Sequence, residues 1–135
     1  MRWAIAFDWR EFLLLAHELR HEREESKQRT AIGRAYYYVY NVALTEIQRL
    51  GYDPRTRMGA GGVHKNLWGW CVQHSNDDIV ALGDSGNTLH ALRIRADYKL
   101  QQSPAQDVQK QLDEARDFEL LLAQIIKRPA PPPFP

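Results

Sequence analysis

Arginines, tyrosines and a carboxylate recur in this chain at spacings that can organise an anion. Arg34 and Asn41 stand two helical turns apart, which puts both on one helix face about 10 Å apart along the axis. Between them run Tyr36, Tyr37, Tyr38 and Tyr40, more tyrosine than a core needs, because each buried hydroxyl demands a partner. Arg93 and Asp97 are spaced i, i+4 and can pair, with Tyr98 adjacent. A desolvated pair of that kind ties together a core, a dimer seam or an anion site. Pro54 to Asn76 holds no acidic residue but contains Arg55, Arg57 and Lys65, and Arg93, Arg95 and Lys99 add charge further on. Were these segments to adjoin, with Trp68, Trp70 and Tyr98 between them for stacking, they would suit a nucleic-acid backbone. The same arginines would equally cover and ion-pair the surface of a bundle.

Other chemistry finds little support. There is no GxGxxG, P-loop, GxSxG or HExxH pattern. Gly59-Ala60-Gly61-Gly62 has neither a preceding strand nor a following GK[ST], so it reads as a connector. His17 and His21 share a helix face, but no third ligand is evident, so no metal and no cofactor is expected. Cys71, the single cysteine, lies on an apolar face and reads as a buried structural thiol.

The elements that must carry these residues are helical throughout, since apolar positions recur with helical period and no segment alternates as a strand. Asp8 caps a first helix over about 9–25, with Phe12, Leu15, Ala16 and Leu19 inward. A second helix spans about 28–50, burying Ile32, Tyr36, Val39, Ala43, Ile47 and Leu50, and Gly51 stops it. A loop of about a dozen residues follows, a length often associated with function or mobility. The third helix spans about 63–75, with Val63, Leu67, Trp70 and Cys71 inward. Gly83 to Asn87 reads as a breaker, so the fourth helix starts near Thr88. Ser103-Pro104 opens a fifth helix running to about Lys127. Residues 129–135 hold five prolines and cannot be helical; they read as an extended tail, disordered or docked on an aromatic groove of a partner. The expectation is one all-α antiparallel bundle of four to five helices over residues 1–128, followed by that tail.

Composition is compatible with this architecture. At 135 residues and 44% hydrophobic, the chain can bury one core, and 18 basic against 17 acidic residues exclude a histone-like positive coat. The apolar run within Met1 to Phe7 is too short for a signal peptide, and no stretch approaches a membrane span. A cytoplasmic domain with no membrane contact is expected.

Gly33-Arg34-Ala35-Tyr36-Tyr37, followed by Leu92-Arg93-Ile94-Arg95-Ala96-Asp97-Tyr98, resembles small prokaryotic HEPN-domain proteins, which carry an (S/G)RAYYA-like helix and a later R-x-x-ADY helix. His64-Lys65 resembles that group's histidine between the two motifs. The resemblance spans roughly residues 9–125 and implies a HEPN-like helical bundle that dimerises through its motif helices. It also implies a metal-independent ribonuclease with an R-x(4–6)-H motif, whose arginine holds phosphate and whose histidine helps activate the ribose 2′-hydroxyl. Such proteins often act as toxins or in phage defence, beside a minimal nucleotidyltransferase that neutralises them. Others have lost the motif and bind nucleotide, RNA or a protein partner.

The chain departs from the family pattern at the histidine. The motif position after Arg34 is Asn41, and that after Arg93 is Tyr98. Neither is a useful base near neutral pH. Two expectations follow. One is a ribonuclease in which Arg34 and Arg93 grip phosphate, His64 is the base, and Asn41, Asp97 and Tyr98 complete the site. The other is a non-catalytic helical module in which the arginines tie the bundle together.

Overall fold

The structure is a computed structural model that describes residues 7–135. The opening of the expected domain, including most of the run weighed as a signal peptide, lies outside the described residues. Five helices and no strand occur among those described: α1 (Arg10–Leu19), α2 (Glu25–Arg49), α3 (Val63–Val72), α4 (Asp77–Tyr98) and α5 (Ala105–Ile126). The all-helical bundle expected from periodicity is present. None of these helices is long and apolar enough to cross a membrane.

The expected first helix over about 9–25 ends early. The Asp8 carboxylate accepts the Arg10 N–H at 3.0 Å and starts α1, which ends at Leu19. The chain turns through 20–24, where Glu24 is extended, and α2 begins at Glu25, earlier than expected. Ala16, Ala31, Ala35 and Ala43 are all buried, and these small side chains let the helix backbones approach closely. Leu13 is buried with Ala16, whereas Leu15, expected inward, faces out at 37% exposure. The predicted stripe of α2 is buried from Ile32 to Ile47, and Gly51 ends the helix at φ +115°.

The larger correction concerns α4. Asn76 caps it by accepting the Asp78 and Ile79 N–H groups, and the helix continues through both glycines read as breakers. A Cβ on Gly83 would stand 2.6 Å from Cys71 Cβ, and one on Gly86 would stand 2.3 Å from the Trp68 ring. These glycines are where α3 sinks onto α4. Trp68 is thereby fully buried, and Val63, expected inward, is exposed. At the far end, Arg29 of α2 donates to the carbonyls of Ala96 (2.6 Å), in the C-terminal turn of α4, and Gln102 (2.8 Å), in the turn that follows.

Two buried polar side chains fasten the interior. Gln111 of α5 donates to the carbonyls of Leu89 (2.9 Å) and Ile32 (3.2 Å), bridging α4 and α2. Asn66 accepts from Met58 N–H and donates to Thr56 O and Tyr52 Oη, so the loop after Gly51 is pinned against α3.

The tail is extended, as expected, but it is seated on its own bundle. Arg10 donates to Pro132 O, Arg116 to Pro131 O and Arg20 to Pro135 O, while Phe134 packs on the core.

Candidate functional site

Three helices converge on Tyr37. From α4, Arg93 Nη2 donates to Tyr37 Oη at 2.7 Å, with the guanidinium 5.1 Å from the centre of the Tyr37 ring. Arg93 Nε lies 2.8 Å from Asp97 Oδ2, a charge contact that lacks hydrogen-bond alignment. From α2, Arg34 lies over the Phe12 ring at 4.8 Å and shares with Tyr37 and Asp97 an open cleft of about 230 Å³. His64, at the start of α3, brings its ring 6.3 Å from that of Tyr37.

Of the residues singled out in the sequence, Arg34, His64, Arg93 and Asp97 are therefore brought together. Tyr98 is at the margin: its ring is 6.0 Å from the Arg93 guanidinium, and it is 66% exposed. Asn41 does not join them. Its side-chain amide donates to Tyr37 O at 2.7 Å, back onto its own helix.

His64 is held by a buried relay. Trp68 Nε1 donates to Tyr36 Oη at 3.1 Å, and Tyr36 Oη is 2.7 Å from His64 Nδ1. Tyr36 is fully buried, so its hydroxyl proton needs an acceptor, and His64 Nδ1 supplies one. The pattern therefore assigns the proton of neutral His64 to Nε2. This reverses the tautomer that a base acting through Nε2 requires. Burial raises the Tyr36 phenol well above its ordinary value, so Tyr36 stays a donor.

His90 is the residue that sequence reasoning missed. Its ring stacks on that of His64, with centroids 5.1 Å apart and planes 17° apart, and on Tyr36 at 5.2 Å. Tyr40 closes the other side of His64 at 4.2 Å. Burial, His90 and Arg93 together push His64 down to about 4. Burial, Arg93 and Lys65 push His90 down as well. Both imidazoles are neutral at pH 7. The legible signal was spacing: His90, Arg93 and Asp97 at i, i+3 and i+7 share a helix face.

The wider basic patch does not assemble as a stacking surface. Arg95 forms a two-pronged pair with Asp107 (2.8 and 2.7 Å), Arg55 is paired with Asp53, and Arg57 donates to Gly61 O. Trp68 is in the core and Trp70 packs between Tyr52 and His74. These arginines serve the bundle surface. Among the described residues, no three His, Cys, Asp or Glu side chains gather as a metal site. Cys71 is buried and its thiol is pushed up to about 12, as fits a structural residue.

Compared with protein-family models, with curated proteins and with solved structures, the chain matches none.

Proposed function

We propose that the protein is a HEPN-type ribonuclease acting on single-stranded RNA. One observation carries this reading: Arg93 bonds Tyr37, Arg34 opens onto the same cleft, and His64 lies beside Tyr37 with His90 stacked on it, although these residues come from three helices. Arg34 and Arg93 hold the scissile phosphate, and His64 Nε2–H donates to one of its oxygens. His90, neutral and without a tyrosine on its ring nitrogens, takes the base role that the sequence had assigned to His64. It removes the 2′-hydroxyl proton as the 2′-oxygen attacks phosphorus. It then returns that proton to the departing 5′-oxygen, leaving a 2′,3′-cyclic phosphate and a 5′-hydroxyl. Asp97 fixes Arg93 in place.

The HEPN likeness brings further proposals: a homodimer built on α2 and α4, a role as toxin or phage-defence effector, and a nucleotidyltransferase antitoxin as partner. Sedimentation of the purified chain tests the first directly.

A second reading is favoured by Asn41, which stands where the family has histidine: an amide is no base near neutral pH, and its N–H is turned back to donate to Tyr37 O. On that reading the arginines bind phosphate without cleaving it. A cleavage assay in EDTA with single-stranded RNA and tRNA separates the two, run beside Arg34→Ala, His64→Gln and His90→Gln. Cyclic-phosphate ends that disappear in Arg34→Ala and His90→Gln support the nuclease. RNA that is bound but left intact by the wild type rejects it in favour of the binding module.

A further inference from the structure

The tail offers a separate site. Prolines at 129, 131, 132, 133 and 135 fix φ, and the other two residues, Ala130 and Phe134, are each restricted by the proline that follows. The segment is thereby biased to polyproline II, a conformation with no internal hydrogen bonds whose carbonyls need outside donors. Here those donors are arginines. Arg116 Nη1 donates to Pro131 O at 2.7 Å, Arg10 Nη2 to Pro132 O at 2.7 Å, and Arg20 Nη2 to Pro135 O at 3.1 Å. Phe134 is the anchor: the Arg10 guanidinium lies 4.2 Å above its ring, and the His17 ring is 5.1 Å away. Leu13 and Leu112 line the same pocket.

All three donors are also held by the bundle: Arg20 Nη1 donates to His17 O at 2.6 Å, and the other two share one carboxylate. Glu119 of α5 is 4% exposed, yet it accepts from Arg10 Nε (2.8 Å), Arg116 Nη1 (3.0 Å) and Tyr38 Oη. A buried carboxylate that fixes two guanidiniums beneath a groove preorganises them for acceptors above it, which lowers the ordering cost of binding. A tail that merely lay on the surface would not require such a base.

We propose that the groove between α1 and α5 is a recognition site for a polyproline II segment carrying a phenylalanine, and that the chain's own tail fills it in cis. Its ligand in trans is a peptide of the Pro-Pro-Phe-Pro kind, which must displace the tail. Because a tethered competitor acts at an effective concentration on the order of millimolar, the wild type should bind such a peptide weakly. Removing the tail's anchor should open the site.

The test titrates a fluorescein-labelled, C-terminally amidated Ala-Pro-Pro-Pro-Phe-Pro peptide into full-length wild type and full-length Phe134→Ala, read by anisotropy. Saturable binding to Phe134→Ala that is about fivefold or more tighter than to wild type, and that is lost when the peptide's phenylalanine becomes alanine, is the expected result. Equal affinity for the two proteins, or binding indifferent to the peptide's phenylalanine, overturns the proposal. A chain ending at Arg128 provides the second arm. If it and Phe134→Ala are both folded by circular dichroism and neither binds the peptide, the groove is not a recognition site.

Discussion

Protonating His64 would place a cation among Tyr36, Tyr37 and Tyr40 of α2 and His90 and Arg93 of α4, with Lys65 next to it in sequence. Burial and the neighbouring cation oppose this, which is why the group is held at about 4 against an ordinary 6.5. As pH falls below about 6.5, the unfolded chain takes up this proton before the folded one does. Stability is therefore fully present above that pH and is lost progressively toward pH 4. His90 and His17 are shifted the same way and steepen the loss. The melting temperature should thus fall between pH 6.5 and 4, and the slope should flatten in a His64→Phe/His90→Phe double variant; an unchanged slope would remove the pair from the explanation. Cys71 gives a simpler test. Its thiol, buried and pushed up to about 12, should resist a disulfide reagent at pH 8 until denaturant is added. Prompt labelling of the native protein would contradict the burial.

At the scale of elements, the two glycines of α4 decide how α3 sits. Gly86→Ala would drive a methyl group into the Trp68 ring and should cost about 1–3 kcal/mol, as overpacked sites do, measured by urea unfolding. Gly33→Ala on α2 meets nothing within 4 Å and should gain roughly 0.5–1 kcal/mol from helix propensity alone. Equal effects at the two positions would argue against the α3–α4 contact. The pair also shows what the sequence could and could not convey. The stripe from Ile32 to Ile47 was readable because one period marks one buried face. Gly83 and Gly86 were misread as a break because the contact that compensates their helix penalty lies on another helix. Trp68 was misread with them: an aromatic on a short helix looks the same whether it stacks on a base or enters a core. In the site, Arg34, Arg93 and Asp97 were singled out by type and spacing, and His64 by the family resemblance. For His90, spacing shows the shared face with Arg93 and Asp97 but not the stacking on His64, whose ring is 26 positions away in the chain and meets it only once α3 has docked on α4.

Across the whole molecule, Glu119 connects parts that lie far apart in sequence. It accepts from α1 through Arg10, from α2 through Tyr38 and from its own helix through Arg116, and both arginines go on to hold the tail. Glu119→Gln would leave two partly buried guanidiniums without their counter-charge. Breaking a buried pair in this way costs about 3 kcal/mol. The same variant should loosen the tail, seen as a Phe134 ring whose NMR shifts move toward those of an unstructured peptide, whereas Val63→Ala at the exposed start of α3 should leave the tail unaffected. A Glu119→Gln protein as stable as wild type would show that the network contributes nothing beyond its packing.

The clasp of Trp68 against Gly86 also bears on how this sequence can change over time. With 2.3 Å between the indole and any added methyl, position 86 can gain a side chain only if position 68 gives up volume first. The order of substitutions is thereby constrained: a smaller residue at 68 opens the route, and a larger one at 86 without it is a dead end. Descendants of this chain should carry the two positions as a linked pair, a tryptophan facing a glycine or a smaller side chain facing a larger one, and a library randomised at both should recover those combinations and few others.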